Sequence, residues 1–331
     1  MTQYSFKKEA SVYVVYAGLQ YLLDISDITF NQTFIEKSYS TKTIQTQNLF
    51  ESSTITKANP ANFSFTIPML QQDDLRIVFD RALDYQTFDL YIETQQDVFK
   101  IEICVITNAT FIMERNLPLT LSVEGQASKL TRAGTAGVFT IPGTIQTRDV
   151  SRTYNRLSDL KVTLHTGTSS EEIISTDLVS LTVELQNNIK WTPFVIISGI
   201  CATTPVVTLM YPTTFTISKR VLSGTVTRYL TIVNNTELQN WNIDTPIRVE
   251  AGQKIASVLH GLDLNMTNCS FTNRVGTGEI FTHSYDWRMT QNPSNLSSIM
   301  TYTTTSTVEG AILDTLGANI LDTLGQVILE V

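Results

Sequence analysis

The chain has 331 residues, of which 42% are apolar and 16% charged, enough for two domains of ordinary size with their own cores. The formal net charge is −8 without any basic run, which argues against tight binding of nucleic-acid phosphates. The charge divides evenly: residues 1–150 hold 12 Lys/Arg and 16 Asp/Glu (net −4), and residues 151–331 hold 11 and 15 (again −4). So few charges leave a surface of Thr, Ser, Asn and Gln, which suits strands and large permanent contacts.

Residues 11–23 alternate apolar and polar positions through Val12, Val14 and Tyr16, then Leu19, Tyr21 and Leu23, which predicts a β-hairpin turning at Ala17-Gly18. Residues 27–35 read as the next strand, with Ile28, Phe30, Gln32 and Phe34 on one face. Residues 36–58 are polar and aperiodic. A connection that long is seldom idle, so it is expected to project as an extended hairpin around Asn48 and to contact a neighbouring ring or subunit. Pro60 opens a strand through Phe63, Phe65 and Ile67, and Pro68 closes it. Asp73-Asp74 precede Leu75, Val78, Phe79, Ala82 and Leu83. These form one helical stripe, with acids at the first turn where the helix dipole favours them. Residues 87–94 alternate as a half-buried strand. Residues 98–113 and 117–127 are long strands joined at Glu114-Arg115-Asn116, a predicted hairpin. The fold class predicted over 1–130 is therefore mainly β, an antiparallel β-sandwich or barrel with one helix. Residues 131–156, with Gly134, Gly137, Pro142, Gly143 and scattered arginines, read as a linker.

The second half echoes the first. Thr107-Asn108-Ala109-Thr110-Phe111 returns as Thr267-Asn268-Cys269-Ser270-Phe271, a shift of 267 − 107 = 160. Asn59-Pro60 through Phe63 resembles Tyr211-Pro212 through Phe215, a shift of 211 − 59 = 152 that also relates Ile28–Phe30 to Ser180–Thr182. Co-linear echoes of this kind imply a duplicated domain. The second copy is expected over 157–292, with Phe111 aligned on Phe271 and Phe63 on Phe215. It has a strand at Leu181, Val183 and Leu185, a more apolar loop over 186–210, and a Pro-led strand over 212–218. The stretch 223–246 patterns poorly as a helix. Residues 256–272 and 279–289 match the final hairpin. Residues 293–331 read as a C-terminal arm: a Ser/Thr-rich tether, then an apolar stretch repeating Ile312–Gly317 as Ile320–Gly325 and expected to dock on another subunit.

Chemistry-bearing constellations are absent from the sequence. His165, His260 and His283 have no Cys or carboxylate at ligand spacing, and Gly310, Gly317 and Gly325 precede no phosphate-loop Lys-Ser/Thr pair. No catalytic, cofactor-binding or metal residue is predicted, and no enzyme is expected. Cys104, Cys201 and Cys269, three thiols without close spacing, are read as buried and reduced. The N-terminus lacks a signal-peptide core and no run reaches the ~18 apolar residues of a membrane span, so a soluble protein made in a cytoplasm is expected.

The hairpin Ser11–Leu23, the strand Ile28–Phe34, the Asn59–Phe63 segment and the Asp73–Tyr85 helix resemble those of tail tube proteins of long-tailed bacteriophages. So do the strand Phe88–Thr94 and the hairpin Val98–Ser128. The resemblance covers about residues 5–130, and the second half joins it through the internal match. It implies two tandem tail-tube domains in a siphophage major tail tube protein, three chains closing a pseudo-hexameric ring, and rings stacking into the conduit for DNA ejection. It also implies a location in the phage tail, assembly in the host cytoplasm and no membrane insertion. The implied partners are further copies of the chain, tape measure protein and transiting DNA in the lumen, and tail terminator and tip proteins. The lumen is expected to favour Asp, Glu, Gln, Ser and Thr over Lys and Arg, because ion pairs would hold passing DNA. The alternative is a receptor- or carbohydrate-binding tail module, for which Trp191 and Trp241 are the candidate exposed aromatics.

Overall fold

The computed structural model describes residues 9–39, 52–68, 74–114, 117–146, 160–166, 169–174, 177–192, 210–230, 242–255, 258–290, 293 and 295–303. In chain order the first half contributes β1 (Ser11–Tyr16), β2 (Leu19–Leu23), β3 (Asp27–Asn31), β4 (Phe34–Tyr39), β5 (Ser52–Ala58), β6 (Ala61–Pro68), α1 (Asp74–Asp84), β7 (Phe88–Glu93), β8 (Asp97–Glu114), β9 (Thr120–Ala127), β10 (Lys129–Thr135) and β11 (Thr144–Ile145). The second half contributes β12 (Leu160–Thr166), β13 (Ser169–Ile174), β14 (Leu178–Trp191), β15 (Phe215–Tyr229), β16 (Asn242–Ile255), β17 (Val258–Thr277), β18 (Phe281–Met289), a 3-10 turn (Leu296–Ser298) and β19 (Met300–Thr303). The fold is mainly β, as the alternation requires. Its one described helix carries the apolar stripe Val78, Phe79, Ala82 and Leu83, all buried.

The 18-residue strand β8 is the spine of the first half. Its early part lies between β7 and β10, and its late part runs alongside β9. Two irregularities bend it between these layers. The first puts Ile103 at φ 56°, a left-handed conformation that a β-branched residue adopts only at a cost. The Asp89 carboxylate compensates by accepting the Ile103 N–H at 3.0 Å, and it also pairs with the Lys100 ammonium at 3.2 Å. Burial alone would pull Lys100 down, but Asp89 and Glu102 outweigh it and hold the ammonium above its ordinary value. The second irregularity falls between Ile106 and Asn108, so Thr107 is the extra residue, and its hydroxyl donates to the Glu124 carbonyl at 3.1 Å. The Thr-Asn motif therefore marks a bulge. Its echo also falls at a slip, but on the other edge of its strand: Thr267-Asn268 lies where the β16–β17 register shifts between Thr245↔Cys269 and Ile247↔Met266.

Around β8 the pairings are β1–β2, β1–β7, β7–β8, β3–β6, β6–β9, β8–β9 and β8–β10. The second half repeats them in the same order as β12–β13, β12–β16, β16–β17, β14–β15, β15–β18, β17–β18 and β17–β19. The ladders correct one detail of the sequence alignment. Phe111 faces Leu121, which faces Ile67; Phe271 faces Trp287, which faces Gly224. With Phe111 on Phe271 the Pro-led strands therefore differ by 224 − 67 = 157, not 152; Phe63 does not stand over Phe215, and Ile28 stands over Leu185, not Ser180. Farther along, the β14–β15 ladder shifts register between Asn188 and Ile189.

Other expectations are met or revised locally. The Ala17-Gly18 turn has φ of 50° and 79°, as a two-residue hairpin turn needs. The 27–35 strand breaks at Gln32-Thr33. There the Gln32 amide donates to the Asn59 and Ser128 carbonyls and accepts from the Leu130 N–H, pinning a corner. Beyond it β4 and β5 form a separate two-stranded ribbon with exposed Phe34 and Ile55; its tip, residues 40–51, lies outside the described residues. The linker expected over 131–156 begins later. Residues 129–135 are β10, and Ala133, Ala136 and Phe139 then pack on the buried cluster of Tyr91, Val98 and Ile141. The Ser/Thr tether is also shorter, because Leu296, Ile299, Met300 and Tyr302 are buried in the main core. Residues 193–209, which hold most of the 186–210 loop, residues 231–241, which hold part of the stretch matched to the helix, and the apolar arm 308–331 lie outside the described residues.

Asp89→Ala should lower unfolding free energy by about 2 kcal/mol in urea denaturation, because it strips both partners from the bend. Asp89→Asn keeps an acceptor for Ile103 and should cost less than half as much. Equal losses would show that the bend does not depend on that hydrogen bond.

Candidate assembly interface and channel face

Past the Thr107 bulge, one edge of β8 leaves β7 behind. That edge takes up β14 of the second half, in register from Ser180↔Glu114 to Gln186↔Asn108. The two halves thereby share one continuous sheet in the order β3-β6-β9-β8-β14-β15-β18-β17.

Side chains alternate across a sheet, so this one has two distinct faces. The first is core: Phe65, Leu121, Phe111, Val183, Val226 and Trp287 are all buried. Gly224 leaves room there, because a Cβ on it would meet the Thr182 carbonyl oxygen and the Trp287 ring. The opposite face is mostly hydroxyl and amide, with a few charged side chains. One ladder row crosses all eight strands as Asp27, Thr66, Ser122, Thr110, Glu184, Ser223, Arg288 and Ser270. The neighbouring row runs Thr29, Ser64, Glu124, Asn108, Gln186 and Val221. On the other side lie Thr120, Ile112, Thr182, Thr225, Asp286 and Thr272. The rows are tied laterally: Thr29 to Ser64 at 2.6 Å, Gln186 to Glu184 at 2.8 Å, Thr225 to Asp286 at 2.7 Å and Thr227 to Ser284 at 3.0 Å. In the rows that cross the seam, the acids Asp27, Glu114, Glu124, Glu184 and Asp286 stand against Arg274 and Arg288. Arg274 is partly neutralised by Asp286 at 3.0 Å. In these rows acids outnumber cations and no cluster of cations faces a phosphate chain; Lys190 and Lys219 lie on the same face beyond them.

Helix α1 locks the seam from behind. Its last carbonyls have no partner within the helix. The second half supplies the donors: the Arg220 guanidinium donates to the Ala82 and Leu83 carbonyls at 3.2 and 2.7 Å, and the Asn187 amide donates to Ala82 at 3.4 Å. Asn187 also donates to the Ile106 carbonyl at 3.0 Å and accepts from Arg220 Nε at 2.7 Å. A cation at a helix C-terminus also suits the dipole. Tyr85 ends the helix at φ 51°, beneath the Arg220 guanidinium. On the opposite flank Phe79 packs against both Phe111 and Tyr302, each at 5.8 Å, so one helix is core to both halves. Sequence reading missed Arg220 and Asn187 because they act on residues more than a hundred positions away, and no local pattern signals that.

The residues singled out for chemistry are dispersed. His283 is buried in β18 beside Tyr285, while His165 and His260 belong to β12 and β17. Trp191 is half-buried, packs on Phe215 at 5.3 Å and donates to Gln126, so it is not an exposed binding platform. Trp241 lies outside the described residues. Cys104 and Cys269 are buried thiols outside any disulfide. Burial pushes Cys269 up to about 12 and Cys104 well above its ordinary value. Among the described residues no three His, Cys, Asp or Glu side chains are placed to hold a metal ion, and no helix is long and apolar enough to cross a membrane.

The profile of the Bacteriophage Baseplate Tube Protein Family matches residues 2–80. That span takes in β1 through β6 and the first part of α1, which includes the outermost strand of the shared sheet. The match supports a structural component of a phage tail tube. No curated protein matches the chain.

Arg220→Ala should cost about 2 kcal/mol of unfolding free energy by urea titration, because it leaves helix carbonyls without their charged donor. Adding Asn187→Ala should cost less than the sum of the single changes, since the two side chains form one network. In the folded protein at pH 8, Cys104 and Cys269 should resist iodoacetamide, since thiols raised this far remain protonated and unreactive. Site-resolved mass spectrometry would show both alkylated only after unfolding.

Proposed function

We propose that the chain is the tail tube subunit of a long-tailed, non-contractile phage, built from two copies of one domain, with three chains closing each ring. The observation that carries this reading is the β8–β14 seam. It joins the two halves edge to edge, puts the core on one side and leaves a hydroxyl-rich, weakly acidic face on the other. Repeating that junction from chain to chain curves such a sheet into a closed wall, and closure removes exposed strand edges. The polar face lines the bore. Its hydroxyls and amides keep water in contact with the wall, and its scarcity of cations lets DNA slide instead of binding. The matching order of strand pairings in the two halves supports the duplication, and the profile match over β1–β6 supports the tube assignment.

On this reading the β4–β5 ribbon, which forms its own two-stranded sheet, contacts the next ring in the stack. The bore holds tape measure protein before ejection and DNA during it, and terminator and tip proteins close the ends. The role is structural, without catalysis or cofactor, and the protein resides in the virion tail after assembly in the host cytoplasm.

Negative-stain electron microscopy of the purified protein tests this. Rings or tubes of uniform bore are expected; compact particles that never stack would overturn it. The bore chemistry is tested separately with Thr110→Lys and Gln186→Lys together. Tubes of this variant should retain short duplex DNA roughly tenfold more than wild type at low salt, and the difference should fade as salt rises. Equal retention would place those residues outside the bore.

A further inference from the structure

The two halves differ where the seam would repeat. In the first half β7 begins at Phe88, opposite Cys104, and everything beyond on that edge of β8 is left to β14. In the second half the residue corresponding to Cys104 is Leu264 (104 + 160), which faces Val249. Yet β16 starts at Asn242, 249 − 242 = 7 residues earlier. The extra strand lies over the part of β17 that corresponds to the seam. The seam edge Asn108–Glu114 maps onto Asn268–Arg274, and there Asn242 faces Phe271 while Thr245 faces Cys269.

This extra strand is weakly tied. From Ile247 to Ile255 the β16–β17 ladder runs without a break, but it shifts register both between Asn242 and Thr245 and between Thr245 and Ile247. Pro246 sits at the second shift. Proline has no backbone N–H to give the ladder, and its fixed φ favours a bend over a regular strand interior. At the far end of the shared sheet, β3 is the counterpart of β14, because it pairs with β6 as β14 pairs with β15. Along Ile28–Asn31 no described strand covers its outer edge.

We propose that Asn242–Thr245 is an edge guard. In the lone chain it covers the stretch of β17 that accepts β3 of a second copy, and it swings away at Pro246 when that copy adds. The inference rests on the ring reading given above. The guard serves a chain that must stay separate until it meets a growing tube, because an uncovered strand edge recruits any other edge. The occupant is a second copy, because the same chain already shows the product of that exchange at β8–β14.

Elongation of preformed tubes by added wild-type or variant chains, followed by light scattering, tests this. Pro246→Ala restores a ladder donor and should slow elongation by about fivefold, the factor corresponding to one net backbone hydrogen bond. Replacing Asn242–Thr245 with four glycines loosens the guard and should speed elongation by a similar factor. Circular dichroism checks that each variant is folded, and if the glycine variant is not, Pro246→Ala decides alone. Wild-type chains that elongate normally, with variants at the same rate, would overturn the guard and leave the ring reading standing. Wild-type chains that never elongate would overturn the ring reading and the guard with it.

Discussion

A strand edge is a row of N–H and C=O groups that must find partners, and the placement of the second half follows from how one such row is filled. Beyond the Thr107 bulge, β8 has an edge that β7 does not reach. β14 fills it, and with that ladder the two halves become one sheet instead of two beads on a string. The core, the polar face and the position of α1 are consequences. Once β14 is in register with β8, Leu181, Val183 and Leu185 must continue the apolar layer begun by Ala109, Phe111 and Met113. Thr182, Glu184 and Gln186 must continue the hydroxyl and amide layer.

The seam is reinforced by side chains that have nothing to do with strand pairing. Arg220 and Asn187 finish a helix that belongs to the other half, and Tyr302 closes over the same helix on its far flank. A helix whose C-terminus is completed by another part of the chain cannot be satisfied fully until that part has docked. Folding of the two halves is thereby coupled in a way that a flexible tether would not provide.

Much of this was legible in the sequence, for a definite reason. Period-two alternation in β1, β6, β8 and β9 reports which face of each strand is buried, and the stripe of Val78, Phe79, Ala82 and Leu83 reports a helix with one wet side. The recurrence of Thr-Asn-x-hydroxyl-Phe falls at a register slip on each of two long strands. The Pro-led echo misled by 157 − 152 = 5 residues, since resemblance of a short polar segment carries no information on ladder register. The linker and the tether were overextended for a related reason. Gly- and Ala-rich or Ser- and Thr-rich stretches look like loops, yet Ala133 and Ala136 pack against the buried cluster of Tyr91, Val98 and Ile141, and Leu296 with Tyr302 anchors the other. The seam itself, the cap from Arg220 and the covering of β17 were not legible, because each depends on which distant edge is left open.

On the proposed reading the chain forms a wall that must be sealed behind and inert in front, and the shared sheet fits both needs with ordinary residues. Hydroxyls and amides bond laterally along the rows and leave few charges for a polyanion to grip. The measurement that bears most directly on this account is a side-chain-resolution cryo-EM reconstruction of the assembled protein. The account predicts an intact β8–β14 ladder in every chain, with Thr110, Glu184 and Gln186 facing the tube axis. A reconstruction with that ladder broken, or with Thr110 and Gln186 on the outer wall, would contradict it.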